Sequence, residues 1–220
     1  MEIWANNQKI PFEVQQEKNL GDLITSLLLL TNEANKVIME IEVDGEIVPL
    51  EERQKYESRP LENIKRVNLV VEGKLQMSLF ALAEAKRMLP EFSVKLSEVS
   101  GLLMAGQKNK AMTIFANSLD TWRKIISYLK TVRVAYKLDL TNVTYDGKNI
   151  EDKNTELLKS LQEIKVALEK EDVVALSDLL EYELISQIDE QVKIIEKIED
   201  VVKEADVKVQ EKLQSQIEVN

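Results

Sequence analysis

The chain has 220 residues, of which 44% are hydrophobic and 31% are charged, and it contains neither cysteine nor histidine. These absences exclude disulfides, zinc sites built from Cys and His, a histidine general base and a cysteine nucleophile. The formal net charge of −10 is uneven, because residues 1–73 hold 8 basic and 14 acidic side chains, residues 74–150 hold 12 and 6, and residues 151–220 hold 9 and 19.

The N-terminal sequence has no basic segment followed by an apolar run, so it does not predict a signal peptide. No apolar run in the chain approaches the roughly 20 residues that span a bilayer. We therefore expect a cytoplasmic protein that has no membrane partner.

The first 73 residues alternate between strand and helix patterns. Residues 2–10 show a weak alternation that ends near a turn at Asn6-Asn7, and residues 11–15 begin with proline, as an edge strand tolerates. Together these two segments predict a hairpin. Asn19 or Asp22 is expected to cap a helix that carries leucines at helical spacing.

Two further strands are predicted around Asp44-Gly45, because Asp-Gly between alternating runs is among the strongest short signals for a hairpin. A polar stretch then leads to Pro60, and the segment closes with a strand over residues 66–71.

This order of elements resembles the ubiquitin-like β-grasp fold. The resemblance rests on Ile41–Val48, on Pro60–Ile64 and on the closing strand Val67–Val71. It implies a β-grasp domain over residues 1–73. A conjugated modifier of this family ends in a free Gly-Gly tail, whereas residues 70–74 here run directly into a helix. The resemblance therefore implies an adaptor or docking version of the fold and not a covalent tag.

From residue 74 the apolar period becomes helical and predicts an all-α antiparallel bundle of two helical hairpins over residues 74–220. The whole chain is thus expected to be α+β. The first seam contains Pro90, which predicts either a kink or two helices that meet there. The second seam consists of Ala111, Phe115, Leu119, Trp122, Ile126, Leu129 and Tyr136.

The second predicted hairpin follows a loop that turns at Asp146-Gly147. Its first helix has the seam Leu157, Leu161, Ile164 and Leu168. Asp172 is expected to cap a last helix of more than 35 residues, about 50 Å long at 1.5 Å per residue. The polar tail over residues 210–220 is expected to fray.

No motif for catalysis, a cofactor or a metal is present. Glycine is too scarce for a phosphate-binding loop, and no serine lies in a G-x-S-x-G context. Most carboxylates of the last helix fall off its seam and predict a solvated face: Glu181, Glu183, Asp189, Glu190, Glu196, Glu199 and Asp200. We expect a non-enzymatic protein.

The basic helix over residues 107–138 is the first candidate surface. Arg123, Lys130 and Lys137 repeat every seven residues and so share one face. Aromatic side chains between them can stack on bases. The favoured interpretation is that the aromatics belong to the core and that the cations pair with the acidic last helix. The candidate contacts are Trp122, Arg123, Tyr128, Lys130, Arg133, Tyr136 and Lys137.

The last helix is the second candidate surface, because it is predicted to be longer than its neighbours. Its far seam must be covered by a second copy in a homodimer, by another protein, or by the first helix of the same chain. The seam residues concerned are Ile195, Ile198, Val202 and Val209, together with Ala205.

The sequence therefore predicts a protein–protein interaction or adaptor protein. The helical half has the general look of small acidic bundle proteins, including flagellar export chaperones, and this likeness implies that an amphipathic client segment lies in a groove between helices. Nucleic-acid binding by the basic helix is the second candidate function, and an enzyme that uses carboxylates with a divalent ion is the third.

Overall fold

The N-terminal part of the chain folds as a five-stranded mixed sheet with a helix. The computed structural model describes residues 1–49 and 54–218. The elements are β1 (Glu2–Ala5), β2 (Gln8–Lys9), α1 (Leu20–Glu33), β3 (Lys36–Val43), β4 (Glu46–Val48), a 3-10 turn (Leu61–Asn63) and β5 (Arg66–Gly73). The strand order is β2-β1-β5-β3-β4, with β1 parallel to β5 and the other neighbours antiparallel.

The hairpin predicted at Asp44-Gly45, the turn predicted at Asn6-Asn7 and the predicted helix cap are confirmed. Asn6 and Asn7 have positive φ values of 47° and 64°, and Asp44 and Gly45 have values of 53° and 92°. Such left-handed pairs match the twist of the strands that they join. The Asn19 side chain accepts a hydrogen bond of 2.9 Å from the Asp22 backbone N–H, so it caps α1.

The core of this part lies between α1 and one face of the sheet, where alternate strand residues such as Ile41 and Leu69 are buried. The other face carries polar contacts. The Asn68 amide donates to Glu42 at 2.7 Å, and the Arg66 guanidinium lies 4.4 Å from the centre of the Trp4 ring. The alternation read from the sequence therefore separates a buried face from a polar one.

The expectation of an edge strand over residues 11–15 is wrong, because residues 11–18 form no strand. The Glu17 carboxylate accepts hydrogen bonds from the backbone N–H groups of Gln15 and Gln16 at 2.9 and 3.1 Å, and from the Ser26 hydroxyl at 2.6 Å. These bonds bend the segment toward the start of α1 and use backbone donors that a strand would need.

The rest of the chain is mostly helical. Its elements are α2 (Lys74–Met104), α3 (Lys108–Tyr136), a 3-10 turn (Leu140–Asn142), β6 (Thr144–Tyr145), β7 (Lys148–Asn149), α4 (Ile150–Glu169), α5 (Val173–Asp178), a π-helical segment (Leu179–Leu184) and α6 (Ile185–Glu218). By compactness the chain divides into two units, Met1–Met77 and Ser78–Asn220. No helix in the described ranges is both long and apolar enough to cross a membrane.

Pro90 lies inside the single helix α2, so of the two predicted alternatives, a kink or two helices, the second is wrong. The proline is exposed, while Leu89 and Phe92 beside it are buried. An interior proline costs a helix about 3 kcal/mol. Burying one leucine returns about 1.5–3 kcal/mol, and α2 buries Leu82, Leu89, Leu96 and Leu103. The free energy gained by burying these leucines therefore exceeds the cost of the proline, and α2 remains continuous.

The seam of α3 begins with Ala111 and Phe115, as predicted, but from Ser118 onward it lies one residue away from the predicted one. Ser118, Ile125 and Val132 are buried, whereas Leu119 is half-buried and Ile126 is 45% exposed. Ile125 and Ile126 are equally apolar neighbours, so the helical period alone does not choose between them. The structure chooses Ile125 and leaves Ile126 at the surface.

The last helical stretch runs from Val173 to Glu218, and its N-terminus is capped as predicted. Asp172 accepts a hydrogen bond of 3.0 Å from the Ala175 N–H. The helix continues through most of the tail for which the sequence predicts fraying, and residues 219 and 220 lie outside the described ranges. Ile195, Ile198 and Val202 are buried, so the chain itself covers that part of the helix.

Candidate functional site: an apolar groove between α3 and α4

A cleft of the helical unit lies between α3 and α4, with α6 as its floor. Its volume is about 370 Å³. The walls and floor are mostly apolar: Trp122, Ile126 and Leu129 from α3, Ile150, Leu157, Leu158 and Leu161 from α4, and Ile194 and Ile198 from α6. We call this cleft the α3–α4 groove.

The groove forms because each wall has apolar residues beyond those that its core seam uses. On α3, Ile125 points into the core while Ile126 is 45% exposed. On α4, Leu157 is buried while Leu158 is 59% exposed. The stripe of each helix is therefore wider than one seam, and the excess lines the groove and its rims.

The groove is about three helical turns long. It extends along α3 from Trp122 to Arg133 and along α4 from Ile150 to Leu161. Eleven residue steps at 1.5 Å correspond to about 16 Å. Leu138 and Leu140, which follow α3, line one end. At the other end the Trp122 ring stacks on Phe92, with ring centres 5.3 Å apart.

Three polar side chains line the groove without hydrogen bonds or ion pairs to other residues in the described part of the chain. Gln191 lies on the floor and is 6% exposed, Asn154 lies on the α4 wall, and Lys130 lies exposed on the α3 rim. Each of these groups can donate a hydrogen bond, and the two amides can also accept one.

One ion pair lies at the end of the groove near Leu138. The Arg133 Nη1 and Glu151 Oε2 atoms are 3.6 Å apart. Both side chains are about half exposed, so the pair contributes at most about 1 kcal/mol to stability. Because the two charges offset each other, Lys130 is left as the uncompensated charge among the lining residues.

The structure brings together four of the eleven predicted contact residues at this groove, namely Trp122, Lys130, Arg133 and Ile198. The others lie elsewhere. Arg123 is exposed and pairs with Asp120 at 2.8 Å, Tyr128 is half-buried, and Lys137 follows α3 with a left-handed φ of 50°. Val209 is 37% exposed, beyond the buried part of α6.

Ile195 and Val202 are both fully buried against the chain itself. The Tyr136 side chain also makes its hydrogen bond inside the unit. Its hydroxyl donates to Asp206 at 3.1 Å, and Asp206 is only 6% exposed. Burial of the phenol, with the nearby Asp206 charge, raises the pKa of Tyr136 well above its usual value.

Sequence reasoning missed Leu158, Asn154 and Gln191 as groove residues. Leu158 follows a seam leucine, and the adjacent pair Leu157-Leu158 is the signal that could have shown a wider stripe. Gln191 sits among the apolar residues of the α6 stripe, where a polar residue is itself informative. Asn154 carries no such signal.

The seven carboxylates named from Glu181 to Asp200 lie at exposed or half-buried positions. Among the described residues, no group of three or more acidic side chains could hold a metal ion. The groove's own chemistry is apolar contact with a few hydrogen-bonding groups, which is typical of recognition.

Comparison with known families divides the chain in two. The family model of the TP0873 N-terminal domain matches residues 1–72. The model of a domain of unknown function (DUF8042) matches residues 81–193. The second match covers just over half of the chain, which therefore belongs to this domain family. It includes both walls of the groove and Gln191. No curated protein and no solved structure matches the chain.

Proposed function

We propose that this chain is a cytoplasmic, non-enzymatic adaptor that binds another protein by holding one of its amphipathic helices in the α3–α4 groove. The observation that carries the proposal is a three-turn apolar cleft with exposed Ile126 and Leu158 on its rims. Helix-in-groove binding is a common mode of peptide recognition, in which apolar anchors every three or four residues fill such a cleft.

The exposed rims favour a helix over a small molecule as the occupant. A compact ligand inside about 370 Å³ would leave Ile126 and Leu158 in water. A helix with its side chains is about 10–12 Å wide, and so it would cover both rims while its anchors enter the cleft. Holding a client segment, as a chaperone does, would use the groove in the same way.

The proposed architecture supports this role. We infer that the first unit is a β-grasp domain, since its inner strands β1 and β5 run parallel to each other and α1 packs on one face. We infer that the second unit is an antiparallel bundle of two helical hairpins. Lys86–Glu199 at 3.5 Å and Ser93–Asp189 at 3.1 Å set α2 and α6 antiparallel.

Nucleic-acid binding by the basic helix is the weaker candidate, because its aromatic side chains are engaged inside the unit. Trp122 stacks on Phe92, and Tyr136 is bonded to Asp206. Arg123 and Arg133 are paired with carboxylates. We therefore expect no gel shift of single- or double-stranded oligonucleotides at low salt, where phosphate contacts are strongest.

Site-specific photo-crosslinking in cells tests the groove. Leu158→p-benzoylphenylalanine should give discrete adducts with a partner protein, because the side chain lies on the rim. The control is Val94→p-benzoylphenylalanine, which is 69% exposed on α2 and does not line the groove. Ile126→Glu added to the Leu158 probe should remove the adducts while circular dichroism stays unchanged. Equal adducts from both probes, or adducts that survive Ile126→Glu, would show that the groove does not bind the partner.

A further inference from the structure

The floor of the α3–α4 groove contains an amide that the chain does not satisfy. Gln191 is 6% exposed, and its side chain has no hydrogen bond to any residue in the described ranges. The amide atoms are not among the buried atoms that lack a hydrogen-bond partner, so water in the groove still reaches them. An occupant that displaces this water without offering a partner would incur a cost of roughly 1–3 kcal/mol by mutational measures. A stripe built only for packing would carry a leucine at this position, so the amide indicates that the occupant brings a polar group.

The rim of the groove carries one uncompensated positive charge. Arg133 and Glu151 offset each other at one end, whereas Lys130 has no ion pair among the residues that the structure describes. Lys130 lies within the lined stretch, one turn from Ile126. An occupant that places a carboxylate beside Lys130 would therefore gain an interaction that the free protein lacks.

We propose that the groove selects an acidic amphipathic helix, whose carboxylate pairs with Lys130 and whose otherwise apolar face carries one polar side chain that hydrogen-bonds the Gln191 amide. This inference rests on the proposed function and adds the chemistry of the partner. Aliphatic side chains at intervals of three and four residues fill the space between Ile126, Leu158 and Ile194.

The two polar contacts would fix the register of the bound helix. Apolar anchors alone permit a helix to slide by one turn along a three-turn groove, because one aliphatic side chain replaces another. A buried polar pair at a single position removes this freedom, as a buried asparagine does in coiled coils. The carboxylate at Lys130 fixes the side of the helix that faces α3.

Selection from a displayed library of helix-forming peptides, about 15 residues long, tests this inference on the full chain without a known partner. The recovered peptides should share an aliphatic stripe, one Gln, Asn or Ser within that stripe, and an Asp or Glu beside it. Lys130→Glu should change the flanking preference to Lys or Arg. Gln191→Leu should replace the polar residue of the stripe with an aliphatic one.

A single recovered peptide then gives the magnitudes. Lys130→Glu should weaken its binding about tenfold at low ionic strength and less at high salt. Lys124→Glu is the matched control, because Lys124 is an exposed cation of α3 that does not line the groove. This control should leave both the affinity and the recovered sequences unchanged.

The outcomes separate the two proposals. Peptides that are lost with Leu158→Glu but show no acidic preference, or no response to Lys130→Glu and Gln191→Leu, overturn this inference and leave groove binding standing. If no recovered peptide depends on Leu158, groove binding itself is overturned, and this inference falls with it.

Sedimentation of the chain alone decides whether a second copy is the occupant. The exposed end of α6, with Val207 and Val209, is the part of the chain that a homodimer could place in the groove. We expect a monomer at micromolar concentration. A dimer that Leu158→Glu dissociates would identify a second copy as the occupant and overturn the acidic partner helix.

Discussion

The hydrogen bonds of the Glu17 side chain explain why residues 11–15 do not form the predicted strand. Its carboxylate accepts two backbone N–H groups and the Ser26 hydroxyl, and these bonds, led by the one from Ser26, lower its pKa from the ordinary value of 4.5 to about 2. This role was not predictable from the residue pattern, because Glu17 is one of several acidic residues in a polar stretch.

The lowered pKa of Glu17 predicts an acid-dependent contribution to stability. Because the folded pKa lies below the unfolded one, the contribution is complete above about pH 4.5 and is lost as the pH falls toward 2. Glu17→Gln should therefore lower the urea midpoint at pH 7 and have little effect near pH 2. Glu13→Gln is the control, since Glu13 is exposed nearby. Equal shifts for Glu17→Gln at both pH values would contradict the prediction.

The residues of the groove were only partly predictable, for a physical reason. Trp122, Lys130 and Arg133 belong to types that serve as interface anchors or charged contacts, so composition points to them. Gln191 and Asn154 matter because of what surrounds them: a buried amide without a partner is recognisable only when its neighbours are known. Burial and pairing arise from the packing of distant helices.

At the scale of elements, periodicity predicted where helices lie better than which side they bury. The bounds of α3 agree with the basic helix over residues 107–138, yet from Ser118 onward its seam is displaced by one residue. A displacement of one residue rotates the buried face by about 100° on a helix with 3.6 residues per turn. Because of this rotation, Ile126 lies on the rim of the groove and not in the core.

Pro90 gives a prediction at the same scale. Proline removes a backbone hydrogen bond from the middle of α2, and its side chain is exposed, so packing does not require it. Pro90→Ala should raise the free energy of unfolding by about 1–3 kcal/mol, measured by denaturant titration. Glu98→Ala, at another exposed position of α2, should change it by less than about 0.5 kcal/mol. A loss of stability with Pro90→Ala would mean that the proline shapes the helix in a way that the packing needs.

The π-helical segment in the last helical stretch was not predictable from the sequence. The π-helical segment Leu179–Leu184 places Glu181 where it accepts a hydrogen bond of 3.0 Å from Ser100. Ser100 also lies 2.7 Å from the Ser177 hydroxyl, and both serines are buried. A wider helical turn changes which residues face the core, and the period of 3.6 residues used to read a sequence does not contain it.

At the scale of the whole molecule, the uneven charge is partly explained by pairing inside the helical unit. The basic middle of the chain meets the acidic C-terminal part in Lys86–Glu199 at 3.5 Å and Lys108–Glu171 at 3.0 Å. Such exposed pairs contribute about 0–1 kcal/mol each. Their role is therefore to favour one arrangement of helices over others, while the buried aliphatic seams supply most of the stability.

The two units should fold separately, since each contains its own buried core. Residues 1–73 end where α2 begins, so this fragment keeps the whole sheet. It should give dispersed amide NMR signals and a cooperative urea transition, and residues 74–220 should remain helical by circular dichroism. The control fragment 1–65 lacks β5, which pairs with both β1 and β3 and therefore holds the sheet together, and it should be unfolded. An unfolded 1–73 fragment would show that the sheet depends on the helical unit.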